Sequence, residues 1–482
     1  MSQLVPHGLP VFAVVGRINM GKSAVLATLL EVDDDKIIRV SATPGETTRC
    51  QVLPVSFHGT EMVRFIDTPG FSRPLEAMRA IQEMHGEGTP GLPTVERFVE
   101  EQRKGGEFED EARLLEPVVQ GAGILYVIDP GKPLRDAFVA EMEILRWTGR
   151  ARMALLNEKG QDGPEVTEWK DRLGSYFNLV RTFNAHQARF DERKRLIRSL
   201  LEIDEGHRTM LERALRCIDE EWEQRRREAA DVILELLRSA LMLRSEGRLE
   251  EEDVHLKHRR EKVAADLARD YFAKVRKVEQ KGSRELLDIY RHHLVKVDAG
   301  GAEFGGGELE EEERWKKWGL SRGQLTLAGT IAGAAGGAVV DVGTGGLTHG
   351  WGAFTGGVVG AVATFWKGAD LPEFGLAGGL KMSSGSGRTL VMGPPKNENF
   401  PWILLDSILH RYAAILARAH GRRDAEVLEA GQGESLVRNL PRNRRGLLAK
   451  WFGSCAKGAP NRGMEPEVFD AIVATLEEVE ET

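Results

Sequence analysis

The feature that most constrains this chain is a run near its start, Gly16-Arg17-Ile18-Asn19-Met20-Gly21-Lys22-Ser23. It follows the apolar stretch Val11 to Val15 and leads into a helix-like apolar stretch. Between a strand and a helix, the spacing G-x-x-x-x-G-K-[ST] has a mechanism. The glycines let the backbone curl so that successive N–H groups face a phosphate. The start of the helix adds partial positive charge. Lys22 can reach the β- and γ-phosphates, and the Ser23 hydroxyl suits Mg²⁺. Gly16, Asn19, Met20, Gly21, Lys22, Ser23 and Ala24 are therefore the expected nucleotide-binding residues of this loop.

The rest of residues 1–190 fits that start. CQVLPVSF (50–57) and EMVRFID (61–67) flank a tight turn and read as a hairpin-like pair. GILYVID (123–129), ARMALLN (151–157) and LVRTFN (179–184) read as further buried strands, with helix-like stretches between most of them. Such alternation predicts an α/β domain with a mainly parallel sheet covered on both faces. Asp67-Thr68-Pro69-Gly70 closes one core strand, 67 − 22 = 45 residues past the loop lysine. An Asp there can hold Mg²⁺ through water, and the Gly70 N–H can sense a γ-phosphate.

Together the three motifs G-R-x-N-x-G-K-S, Gly45-Glu46-Thr47-Thr48-Arg49 and Asp67-Thr68-Pro69-Gly70 resemble a translation-factor-type P-loop GTPase. The class is that of TrmE, Era, EngA, YihA and the septins. The resemblance implies a Ras-like G domain. It makes Thr48 the switch I threonine, which binds Mg²⁺ only when the γ-phosphate is present, and places switch II from Phe71 onward. Lys22, Thr48 and Gly70 are then the expected catalytic residues, and Ser23, Thr48 and Asp67 the expected Mg²⁺ ligands. In related GTPases an asparagine at the position of Asn19 helps to coordinate K⁺. The residue-level alternative is a plain turn-stabilising role. Phe71 stands where other GTPases carry a water-orienting glutamine, so hydrolysis is expected to be slow until a partner or dimer completes the site.

The base-reading motif departs from the class pattern N-K-x-D. The fifth strand ends in Asn157-Glu158-Lys159-Gly160-Gln161-Asp162, with glycine where the guanine-binding Asp is expected. Asn157 fits, and Ala185 falls in the loop whose backbone N–H reads the guanine oxygen in the class. GTP is expected ahead of ATP on class resemblance alone, because an unpaired polar edge is what rejects the wrong base. A closer resemblance, covering most of the chain, is to bacterial GTPases carrying a C-terminal domain of unknown function with a glycine-rich segment. In that group the stretch 71–122 is also long. It reads either as a partner-sensing extension of switch II or as a surface helical insert.

Beyond residue 190 composition becomes informative. Residues 191–299 are nearly free of Gly and Pro and carry Leu, Ile and Ala at helical spacing among dense charge, as amphipathic helices do. Residues 300–322 form a Gly-rich and acidic hinge followed by a Trp/Lys segment. The chain holds 54 glycines, and 26 of them fall in residues 300–393. Within 323–370, Gly329, Gly333 and Gly337 repeat every four residues, as do Gly352, Gly356 and Gly360. Such stripes let helices approach backbone to backbone, which predicts a glycine-zipper hairpin. Lys and Trp near both ends suit a membrane surface; a hairpin packed inside protein fits the same stripes. Residues 371–482 read as a mixed, mostly helical domain, with a hairpin in KMSSGSGRTLVMG and a basic stretch from Arg438 to Arg445. That stretch can touch lipid headgroups or RNA, though such clusters are commonly solvated surface.

The formal charge, 66 − 74 = −8, excludes a globally basic nucleic-acid binder, so no specific nucleic acid is expected. Three scattered cysteines fit a reducing compartment. The expectation is a cytoplasmic, Mg²⁺-dependent and K⁺-stimulated GTP/GDP switch. Its hairpin would lie on or in the inner membrane, contacting lipid or a membrane protein, and a nucleotide-dependent homodimer fits the class. The rival reading is a scaffold that binds nucleotide, GTP or ATP, with negligible hydrolysis, and whose hairpin contacts protein.

Overall fold

The computed structural model describes residues 4–17, 19–31, 50–158, 164–184, 190–249, 257–292, 381–382, 388–393, 400–418 and 435–481. Thr48, Gly160, Asp162, Ala185, the hinge at 300–322 and the glycine-zipper segment 323–370 lie outside them. The chain divides into two units. The first is Met1–Gln224 with Arg291–Leu294 and Leu416–Ala425; the second is Arg225–Tyr290, Val295–Ile415 and Glu426–Thr482.

The first unit is built on a six-stranded sheet. Its strands are β1 (Val11–Val15), β2 (Gln51–Phe57), β3 (Thr60–Asp67), β4 (Gly123–Ile128), β5 (Arg152–Asn157) and β6 (Leu179–Phe183), in the order β2-β3-β1-β4-β5-β6. All pairs are parallel except β2 with β3. The reason is visible in the residues. β1 and β4 are buried at every position, as strands covered on both faces must be. β2 alternates buried with exposed and carries Pro54, which an edge strand tolerates. The β2–β3 turn is His58-Gly59, both at positive φ (49° and 76°), which matches the right-handed twist of a two-residue hairpin.

Helices cover the sheet: α1 (Lys22–Leu30), α2 (Pro74–His85), α3 (Leu92–Gln102), α4 (Glu109–Val119), α5 (Asp136–Trp147), α6 (Pro164–Gly174) and α7 (Phe190–Ile203). The long stretch after β3 is thus three helices, each with a buried face. Ala77, Ile81, Val95, Phe98, Leu115 and Val118 are fully buried, and all are part of the domain core.

In the second unit, α8 (Arg208–Met242, whose first half belongs to the first unit) is followed by α9 (Lys257–Ile289), α10 (Phe400–Ala417), α11 (Arg442–Ala456) and α12 (Glu465–Glu481). Gly282 lets α9 lie close against α8, since a Cβ there would meet Leu236 Cδ1 at 2.4 Å. The hairpin expected in KMSSGSGRTLVMG is present as β8 (Lys381–Met382) paired with β9 (Arg388–Met392). One strand was not expected: β7 (Ser245–Leu249) interrupts the helical region and pairs antiparallel with β9. Its sequence SEGRL has too little alternation to announce a strand, and its partner lies some 140 residues away, so pairing rather than local pattern makes it.

Candidate nucleotide site

The site forms at the C-terminal ends of β1, β3, β4 and β5, where open α/β sheets bind ligands. Two glycines are dictated by space. A Cβ on Gly16 would sit 2.4 Å from the Val127 carbonyl oxygen of β4, and one on Gly21 would sit 2.1 Å from Asn157 Nδ2. Gly21 has φ +92° and starts α1 without any side-chain cap, leaving the first helical N–H groups to a ligand. Asn19 also takes a left-handed conformation, φ +65°, which asparagine tolerates better than most residues.

Lys22 folds back over this loop. Its Nζ donates to the carbonyl oxygens of Gly16 (2.8 Å) and Arg17 (3.2 Å). Burial lowers the pKa of this ammonium, while Asp67 and Glu141 pull it up again. Ser23 and Ala24 lie in the first turn of α1. Asp67 ends β3 and is 3% exposed; burial pushes its carboxyl up to about 6 against the pull of Lys22. Its Oδ1 has no hydrogen-bond partner among the described residues. A buried carboxylate oxygen left open at the end of β3 is the kind of oxygen ligand that Mg²⁺ takes, and Lys22 is near enough to pull on its charge. The adjacent Thr68 donates from Oγ1 to the Val14 carbonyl at 2.8 Å, tying the end of β3 to β1. Gly70 follows after Pro69.

Met20 and Asn157 brace the loop from behind. Met20 is 2% exposed, and its Sδ accepts the Asp129 N–H at 3.4 Å. Asn157 is fully buried and donates from Nδ2 to the Met20 carbonyl, also at 3.4 Å. Phe71 is buried in the domain core, so it presents no polar group where a glutamine would orient water.

Two groups escape a motif-based reading. Glu141 of α5 is fully buried. It accepts the Tyr126 hydroxyl at 2.7 Å and lies 3.4 Å from Arg17 Nε. Burial pushes its carboxyl up to about 8, against the Tyr126 hydrogen bond, Arg17 and Lys22. Arg17 in turn stacks over Phe138, 5.3 Å from the ring centre. The signal was there: Glu141 falls between Phe138 and Leu145 on the apolar face of its helix, where an acid needs a reason. The second group is Glu111 of α4, 2% exposed, which accepts the backbone N–H groups of Ser72 and Arg73 just after Gly70.

The glycine loop, the parallel sheet and the strand-ending Asp67 define a P-loop GTPase of the TrmE–Era–EngA–YihA–septin class. Residues 11–157 match the family model described as 50S ribosome-binding GTPase. Residues 170–466 match the model of a domain of unknown function (DUF3482), and the chain belongs to that family.

Among curated proteins the chain is similar to probable GTP-binding proteins EngB. Identity is 42% over 72 residues with that of Anaeromyxobacter sp. (strain Fw109-5), covering 14% of this chain and 32% of the relative. It is 37% over 71 residues with that of Desulfotalea psychrophila, covering 15% and 34%. It is 35% over 63 residues with that of Bacillus cytotoxicus, covering 13% and 29%. The chain thus spans about a third of the length of these relatives. Among solved structures it is similar to Era in complex with MgGDPNP and a 16S ribosomal RNA segment, with TM-score 0.26 and 15% identity over 50% of this chain and 72% of Era. It is also similar to the bacterial selenocysteine-specific elongation factor EF-Sec, with TM-score 0.25 and 14% identity over 41% and 29%.

Proposed function

We propose that this chain is a Mg²⁺-dependent switch that binds and hydrolyses GTP. The observation that carries the reading is the buried, open Oδ1 of Asp67 beside the Lys22 ammonium at the glycine loop. Ser23 and Asp67 would hold Mg²⁺, joined by Thr48 when a γ-phosphate is present. Bound there, the ion offsets negative charge on the transferred phosphoryl group. Lys22 leaves the Gly16 and Arg17 carbonyls for the β- and γ-phosphates, and the Gly70 N–H meets the γ-phosphate. Asn19 is the K⁺ ligand, adding charge that other GTPases take from an arginine. Asn157 and Ala185 flank the base. GTP is favoured over ATP by the GTP-binding relatives, despite Gly160 in place of the expected Asp.

Basal hydrolysis is slow, because Phe71 offers nothing to the attacking water. The missing group comes from a partner or from a second copy in a nucleotide-dependent dimer. The Glu111 contact gives the helices after β3 a hold on switch II, which favours their role as its extension. The glycine stripes of residues 323–370 form the membrane-associating output, peripheral to or inserted in the bilayer. Among the described residues no helix is long and apolar enough to cross a membrane.

The test is turnover of GTP and ATP by wild type and Lys22→Ala, in K⁺ and in Na⁺. The reading expects GTP turnover stimulated by K⁺ and absent in Lys22→Ala. Equal rates for the two proteins would sink it. Liposome flotation with and without a GTP analogue tests the output, and no binding in either state refutes it.

A further inference from the structure

A cavity of about 510 Å³ opens in the second unit, lined by Trp402, Asp406, Ser435, Arg438, Arg442 and Arg445 among others. Its size is that of a small-molecule site. What distinguishes it is uncompensated charge. Arg442 and Arg445 lie at i, i+3 in the first turn of α11 and so share a face. Neither they nor Arg438 makes an ion pair among the described residues. Arg444, on the same helix, points the other way and is neutralised: it donates to Glu478 at 2.9 Å and to Thr475 at 3.2 Å. The helix therefore pairs the arginine that faces α12 and leaves open those that face the cavity.

The carboxylate in the wall does not supply the missing charge. Asp406 is buried, and its Oδ1 accepts the Ser435 hydroxyl and the Val437 N–H, each at 3.1 Å. Its Oδ2 lies 3.7 Å from His410 Nε2. Asp406 thus fixes the turn that carries Arg438. Trp402, half-buried and held edge-on by Phe452 at 5.1 Å, provides a rigid apolar wall. The three arginines are exposed along one open cavity, and an anion held there meets three positive charges at once. The guanidinium fork matches two oxygens of a phosphate better than it matches a spherical ion.

We propose that this cavity binds a phosphate group, carried by a free small molecule or by a lipid headgroup. It would be a second anion site in the chain, independent of the nucleotide loop. The full chain, saturated with GDP and Mg²⁺ so that the loop is filled, is titrated with inorganic phosphate and followed by the width of the phosphorus resonance. In parallel, flotation is measured with phosphatidylcholine vesicles with and without phosphatidylglycerol. The variants are the double change Arg442→Ala/Arg445→Ala, and Ala449→Glu, which puts a carboxylate on the exposed cavity rim and removes no arginine. Asn443→Ala is the control.

The proposal expects binding that both variants weaken by about tenfold or more and the control leaves unchanged. Loss in the phosphate arm assigns a free ligand; loss only in the phosphatidylglycerol arm assigns a headgroup. It is overturned if wild type binds neither probe, if binding survives both variants, or if single-stranded RNA binds to these arginines while phosphate does not.

Discussion

Glu111 holds Ser72: its Oε1 accepts the Ser72 backbone N–H at 2.9 Å, and the Arg73 N–H beside it. Arg73 returns the contact, donating to the Glu107 carboxylate at 3.0 Å and stacking over Phe108 at 4.8 Å. The segment after Gly70 is thereby tied to the start of α4, some forty residues further along the chain. Two backbone donors depend on one buried carboxylate. Glu111→Ala should lower unfolding free energy by about 1–3 kcal/mol, as loss of a buried acceptor does. Hydrogen exchange at Ser72 and Arg73 should speed up while Ile124 in β4 keeps its protection. Unchanged exchange at both sites would mean that the tie is not what orders this segment.

Gly21 faces Asn157 with no room for a methyl group. Gly21→Ala adds that clash to a backbone at φ +92°, a conformation that costs a non-glycine residue about 1–3 kcal/mol. The variant should fold with reduced stability and bind GTP at least about tenfold more weakly, as seen by calorimetry. Wild-type affinity in Gly21→Ala would show that the loop geometry does not depend on this contact.

Burial raises two carboxyl groups of the site, Asp67 to about 6 and Glu141 to about 8, from ordinary values of 3.8 and 4.5. In each case the folded chain holds a proton that the unfolded chain has released, so stability falls as pH rises through the interval. For Glu141 that window runs from about 4.5 to about 8. Nucleotide-free protein should therefore melt lower at about pH 8 than at about pH 5. Glu141→Gln keeps an acceptor for Tyr126 and should flatten that dependence. A wild-type melting temperature that rises across the window would contradict the assignment.

Much of this was legible in the sequence because the governing physics is local. Uninterrupted apolar runs such as VFAVV and GILYVI become central parallel strands, and the loop glycines are required by contacts under 3 Å. Asp67 and Asn157 could be placed because each ends a strand that the apolar pattern had located. What escaped depends on distant partners. β7 exists only by pairing with β9, and Glu111 gains its role from a turn 38 residues away. Glu141 gave a local hint as an acid on an apolar helix face, but no motif says that Arg17 and Tyr126 meet it there.

The central claim is that Asp67 and Lys22 form a Mg²⁺–nucleotide site. Its most direct measurement is GTP affinity with and without Mg²⁺ for wild type and Asp67→Asn. The account predicts that Mg²⁺ tightens GTP binding to wild type by at least about tenfold and has little effect on Asp67→Asn. Equal tightening in both proteins, or none in wild type, would contradict it.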